Sequence, residues 1–72
     1  MNILVIGSGA REHSLCYAIK KSPHLSKLFA IPGNYGIGQI ANCHNLNIND
    51  FHKLYEFTIE YNIELIVVGP EV

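Results

Sequence analysis

Apolar residues in this chain fall into short unbroken runs separated by stretches with helical spacing. Ile3 to Ile6 is a run of four, rich in β-branched side chains, which suits a strand buried on both faces of a parallel sheet. Gly7 to Ala10 reads as the loop after it. From Arg11 to about Lys21 the spacing turns helical, with Leu15, Ala18 and Ile19 at i, i+3 and i+4 as a core-facing stripe. Lys20 and Lys21 stand in the last turn, where the helix dipole favours cations, and Ser22-Pro23 ends the helix because the residue before proline avoids the α region. Leu28 to Ile31 reads as a second buried strand, stopped by Pro32-Gly33-Asn34. Pro32 to Ala41 carries three glycines and reads as a loop. Leu46 and Ile48 alternate within Cys43 to Ile48, a weak third strand. Asn49 or Asp50 can cap the next helix, whose apolar positions Phe51, Leu54, Tyr55, Thr58 and Ile59 follow i, i+3, i+4, i+7 and i+8. Asn62 suits a left-handed terminator. Leu65 to Val68 is a further buried strand, broken by Gly69-Pro70-Glu71.

The order β-α-β-loop-β-α-β implies an α/β fold, a Rossmann-like parallel sheet with flanking helices and right-handed crossovers. Two helices are few for two sheet faces, and the chain stops four residues after its last strand. The expectation is therefore the N-terminal piece of something larger, truncated at residue 72. The competing expectation is a complete small domain that dimerises.

Composition narrows the class. With 72 residues there is room for one small domain, of a size that buries only about 60–65% of its unfolded surface. Five Lys and Arg against six Asp and Glu give a net charge of −1, and no basic stripe points to nucleic acid. No apolar run approaches the ~20 residues of a membrane helix, and the start lacks the basic region of a signal peptide. A cytoplasmic protein is expected, with Cys16 and Cys43 as reduced thiols.

Three glycine-containing loops leave strand carboxyl ends, the edge where open α/β sheets bind ligands: Gly7-Ser8-Gly9-Ala10, Pro32-Gly33-Asn34 and Gly69-Pro70-Glu71. In the first, glycine lets a ligand approach the backbone, and the unpartnered N–H groups of the following helix make an anion site. Ser8 could cap that helix or donate its hydroxyl. The dinucleotide fingerprint G-x-G-x-x-G fails at its third glycine, where Glu12 stands, and its acidic partner about 20 residues on is replaced by Ile31-Pro32. A P-loop is absent too. Arg11 opposes the helix dipole by roughly 0.3–1 kcal/mol unless a phosphate binds beside it, and guanidinium matches phosphate with paired hydrogen bonds. The alternative for Arg11 is a solvated side chain whose stem covers apolar surface. Glu12 suits the dipole and can act as a cap; His13 faces either a ligand or the adjoining loop. Asn34 can serve sugar hydroxyls or an ordinary turn. Glu71 can grip hydroxyls or an ammonium group, or simply face solvent. His24, His44 and His52 show no metal-ligand spacing and read as surface or satisfied polar residues. Tyr17, Tyr35, Tyr55 and Tyr61 form no visible stacking platform.

The segments "VIGSGAREHSL" at 5–15, "PGNYG" at 32–36 and "IELIVVGPE" at 63–71 resemble, in order and spacing, the N-terminal domain of the phosphoribosylamine–glycine ligases. The resemblance covers essentially all 72 residues. It departs at Ala10, where the family usually has a second glycine; the added methyl is tolerable if φ there is negative. The resemblance implies a pre-ATP-grasp domain from an enzyme of de novo purine synthesis that joins glycine to 5-phosphoribosylamine through glycyl phosphate, releasing ADP and phosphate. It implies that ATP, Mg2+ (or Mn2+) and glycine bind in domains outside this segment. Gly7, Ser8, Gly9, Arg11, Glu12, His13, Pro32, Gly33, Asn34, Gly69, Pro70 and Glu71 would then serve phosphoribosylamine, with no catalytic residue and no metal ligand among them. Other readings are the first domain of a related purine-pathway carboxylase or transformylase, a stand-alone nucleotide- or sugar-phosphate-binding regulatory module, and a non-binding structural fragment.

Overall fold

The structure, a computed structural model, describes residues 1–68; the third loop, Gly69-Pro70-Glu71, lies outside the described residues. The elements are β1 (Asn2–Gly7), α1 (Ala10–Lys20), β2 (Lys27–Pro32), α2 (Tyr35–Gly38), β3 (Asn42–Cys43), α3 (Phe51–Glu60) and β4 (Ile63–Val68). All strand pairs are parallel, in the order β3-β2-β1-β4. The expected α/β architecture is present. Among the described residues no helix is long and apolar enough to cross a membrane.

β1 and β2 are the buried centre, with Leu4, Val5, Ala30 and Ile31 fully enclosed. Alternation along the strands divides the core in two. Ile3, Val5, Leu28 and Ala30 point to the side of Cys16 on α1 and Ile37 on α2. Leu4, Phe29 and Ile31 point to the other side, against Phe57 on α3. There Phe29, His44, Phe57 and Tyr61 form an aromatic cluster, with Phe29 and Phe57 edge-on at 5.7 Å and His44 4.9 Å from Phe57. His44 and Tyr61 are thus packing residues. His52 is exposed and pairs with Glu56 at 2.8 Å.

The structure corrects several local expectations. The core line of α1 is Glu12, Leu15, Cys16 and Ile19, while Ala18 is exposed. This is regular i, i+3, i+4, i+7 spacing, but its first member is a carboxylate and the hydropathy pattern passes over it. Pro32 to Ala41 is not all loop: Asn34 caps the one-turn helix α2 by accepting the Ile37 N–H at 2.8 Å. The third strand is Asn42–Cys43 rather than Cys43 to Ile48, although Leu46 and Ile48 still pack against the α3 side of the core. Asp50, not Asn49, caps α3. The stripe expected on α3 is turned. Phe57, Leu54 and Tyr61 meet the sheet, whereas Phe51, Tyr55 and Ile59 are exposed. Nor is β4 buried: Leu65, Ile66 and Val68 are exposed at the sheet edge. Asn62 terminates α3 in the left-handed region as expected, with φ 52°.

Both cysteines are free thiols, Cys16 buried and Cys43 exposed. Burial pushes the Cys16 thiol above its ordinary value, helped by Cys43 and Glu12. The folded state therefore favours the neutral thiol, a contribution present below the ordinary thiol range and lost as pH rises through the raised value. At about pH 8, iodoacetamide should modify Cys43 in the folded chain and spare Cys16. Peptide mass spectrometry finding Cys16 labelled as fast as Cys43 would contradict this packing.

Candidate functional site

β1 and β2 run side by side in register, and Gly7 at the end of one lies opposite Pro32 at the end of the other. The two glycine loops therefore leave the sheet together. They are then tied. Gly33 N–H donates to the Gly7 carbonyl at 3.1 Å, and Asn34 Nδ2 donates to the Ser8 carbonyl at 2.7 Å. The same Asn34 amide oxygen caps α2, so this one side chain joins both loops and starts a helix. β4 pairs with β1 up to Ile6↔Val68, so its carboxyl end reaches the same edge.

Gly7 has φ +147°, and a Cβ there would stand 2.2 Å from Glu12 Cγ. Gly33 has φ +73°, and a Cβ would stand 2.4 Å from Cys43 Sγ. Both positions need glycine for backbone conformation and for space. The close neighbour of Gly7 is itself part of the turn. Glu12 is buried, and its Oε1 accepts the Gly9 N–H at 3.0 Å. This is the half of a capping box that remains when glycine is the cap residue. The cap of α1 is Gly9, not Ser8. Its next orphan donors, the N–H groups of Ala10, Arg11 and Glu12, receive no side-chain cap, while His13 N–H closes the first helical bond to the Gly9 carbonyl at 3.1 Å. Ser8 and Arg11 are exposed beside this end of the helix. Arg11 ion-pairs with none of the described residues. The His13 ring faces α2, within the segment read as the adjoining loop: a Cβ on Gly36 would meet it at 2.6 Å, so Gly36 is the bare backbone against which the imidazole packs.

The arrangement is the start of an eleven-residue helix whose Ala10, Arg11 and Glu12 N–H groups take no side-chain cap, an exposed guanidinium one position inside it, and a second loop clamped alongside. Chemically it can hold an anion and nearby hydroxyls. Among the described residues no three His, Cys, Asp or Glu side chains come together as metal ligands.

A family model described as "Phosphoribosylglycinamide synthetase, N domain" matches residues 1–72. The chain belongs to this family. A phosphoribosylamine–glycine ligase of Mesorhizobium japonicum is 51% identical over 71 residues, which is 99% of this chain and 17% of that protein. The trifunctional purine biosynthetic protein adenosine-3 of Drosophila melanogaster is 40% identical over 96% of this chain, only 6% of its own length. The crystal structure of the Thermotoga maritima phosphoribosylamine–glycine ligase superposes with a TM-score of 0.69 at 25% identity, covering 97% of this chain and 16% of that one. The chain thus spans about one-sixth of the length of the ligases it matches.

Within this synthetase family fold, the departure at Ala10 is harmless. Ala10 is the first residue of α1 and is not among the positive-φ residues, so its methyl strains nothing. Of the site residues expected from sequence, Gly7, Ser8, Gly9, Arg11, Glu12 and His13 are gathered with Pro32, Gly33 and Asn34. Glu12 does act as a cap, one of the two roles its position allowed, whereas the double tie made by Asn34 goes beyond its reading as a turn residue or a partner for sugar hydroxyls. The signals were there: a glutamate three residues after the cap, and an asparagine three residues before an N–H it could hold.

The two glycines of the first loop should respond differently to alanine. Gly7→Ala must adopt a strained φ and displace Glu12, a loss on the order of 3 kcal/mol. Gly9→Ala has ordinary extended backbone and a nearest contact of 3.3 Å, so the expected loss is under about 1 kcal/mol. Urea unfolding of both variants checks the order, and equal losses would refute the role given to Gly7.

Proposed function

We propose that this chain is the phosphoribosylamine-binding part of a phosphoribosylamine–glycine ligase of de novo purine synthesis. The observation that carries the reading is the α1 N-terminus, left without a side-chain cap and flanked by the exposed Arg11. A sugar phosphate is the anion such an end accepts, and its binding converts the unfavourable placement of Arg11 into a favourable one. The N–H groups of Ala10, Arg11 and Glu12, the Ser8 hydroxyl and the Arg11 guanidinium are the groups that meet phosphate and ribose. Glu12 and Asn34 hold the loops that present them. Gly69, Pro70 and Glu71 complete the site from the third loop.

In the reaction proposed, the carboxylate of glycine takes the γ-phosphoryl group of ATP to give glycyl phosphate and ADP. The amine of phosphoribosylamine attacks the acyl carbon, the C–N bond forms, and phosphate leaves. ATP, Mg2+ (or Mn2+) and glycine belong to the rest of the ligase. The contribution of this segment is position: held by its phosphate and hydroxyls, the amine is aimed at the acyl phosphate, and orientation of this kind lowers the barrier without a catalytic group.

Ribose 5-phosphate is a stable stand-in for the labile amine. NMR titration should shift Ser8, Gly9 and Arg11 with ribose 5-phosphate and leave them unmoved by NAD. Arg11→Ala should weaken that binding roughly tenfold, the scale of one charge-assisted hydrogen-bonded contact. Shifts with ATP or NAD alone would support the nucleotide-binding module in place of the ligase. By itself the chain should form no glycinamide ribonucleotide from ATP, glycine and phosphoribosylamine; product formation by the pure chain would overturn the assignment of ATP and glycine to other domains.

A further inference from the structure

The sheet has a second opening, at the end opposite the glycine loops. β3 pairs only with Phe29 and Ala30 of β2, so β3 does not reach the flank of β2 at Lys27 and Leu28. The last turn of α1 borders this gap on one side, and the chain leaving α2, from Gly38 to Asn42, borders it on the other. Between them lies a cleft of about 370 Å³, within the ~300–1,000 Å³ of small-molecule sites.

The lining is polar and its charge has one sign. Lys20 and Lys27 bring two ammonium groups, Ser26 a hydroxyl, and Gln39 and Asn42 side-chain amides. No carboxylate lines the cleft among the described residues. Glu64 stands at this edge of the sheet, but beyond β1, where it accepts the Asn2 N–H at 3.1 Å. Neither lysine forms an ion pair among the described residues.

The two lysines differ in what the fold asks of them. Lys20 complements the α1 dipole and donates to the Ile40 carbonyl on the opposite wall at 3.2 Å. An ammonium has three donors, so two remain. Lys27 has no helix end to balance; it opens β2 and is exposed. Ser26 Oγ accepts from the Met1 amine at 3.0 Å, which leaves its own proton to donate. A cleft lined by one sign of charge concentrates counter-ions, and lysine binds phosphate as a point charge.

We propose that this cleft is a second anion site, for a phosphate group free or carried on a small molecule. Lys20 and Lys27 hold the phosphate, and Ser26, Gln39 and Asn42 hydrogen-bond to the bound group. The site lies at the opposite edge of the sheet from the α1 N-terminus and goes beyond the phosphoribosylamine reading.

The test is NMR titration of the 72-residue chain with glycerol 3-phosphate and, separately, with inorganic phosphate, each against sodium chloride at matched ionic strength. The expected result is saturable shifts at Ser26, Gln39 and Asn42. Lys27→Gln should weaken this response roughly tenfold and Lys27→Arg should retain it, while neither changes the response of Ser8 and Gly9. Arg11→Ala should do the opposite. Lys27 is exposed, so its substitution leaves the core intact, which a circular dichroism spectrum checks. Tighter binding of glycerol 3-phosphate assigns the cleft to a phosphate ester, and tighter binding of inorganic phosphate assigns it to the free ion; either supports the site. Shifts that sodium chloride reproduces overturn it, and so does equal binding by the unsubstituted chain and Lys27→Gln. A response confined to Ser8, Gly9 and Arg11 overturns this second site and keeps the phosphate reading of α1. A response confined to Ser26, Gln39 and Asn42 supports the second site and removes the first.

Discussion

The register of β1 against β2 is the constraint on which the site depends. Gly7 opposite Pro32 puts two loop starts side by side, and the Gly33 N–H to Gly7 carbonyl bond extends the strand ladder one step into the loops. Only then can Asn34 reach the Ser8 carbonyl. A slip of one residue would turn every side chain of β1 to the opposite face, moving Val5 away from Cys16 and Leu4 away from Phe57. The two half-cores therefore enforce the geometry of the loops. Site and core are one structural problem, because the residues that fix the register are the fully buried ones.

Charge is distributed to match. Glu12 sits at the third helical position with its carboxylate turned inward on the Gly9 N–H, where a negative group favours the helix dipole. Arg11, one residue earlier, points out. The turn thus has its own internal anion for its first donor and leaves the following donors to the outside. An external phosphate would not compete with Glu12, because the two address different N–H groups. That separation would leave a turn closed by Glu12 with donors free for an anion.

Sequence and structure agree where one physical signal dominates. Ile3 to Ile6 and Leu28 to Ile31 are unbroken apolar runs, and both are buried strands. They part where two signals compete. α3 and its cap residue Tyr61 carry apolar side chains at Phe51, Leu54, Tyr55, Phe57, Ile59 and Tyr61, enough for two faces, so spacing alone did not choose the face that meets Phe29. α2 hides among glycines because its one turn is nucleated by the Asn34 cap rather than by helix-forming residues. The loops were legible as a set, since glycine after an apolar run is a strong sign in a parallel fold. The cap reading of Glu12 holds, but the cap and loop tie made by Asn34 were not legible, because a polar side chain turned inward and one turned to a ligand have the same letter.

β4 shows what composition can say about a chain's surroundings. Its residues were read as a buried strand and are exposed, yet the reading was sound chemistry. A strand selected to face solvent on one side alternates polar and apolar residues. After Glu64, β4 is Leu65, Ile66, Val67 and Val68 without interruption. The mismatch between what the strand is made of and what covers it is why its exposure could not be read from its composition. The opposite edge, the two-residue β3 of Asn42 and Cys43, offers no such apolar run. Leaving Leu65, Ile66 and Val68 in water forgoes their hydrophobic stabilisation, about 1.5–3 kcal/mol for each side chain fully buried. In a chain of 72 residues that is a large share of the stability a small domain holds.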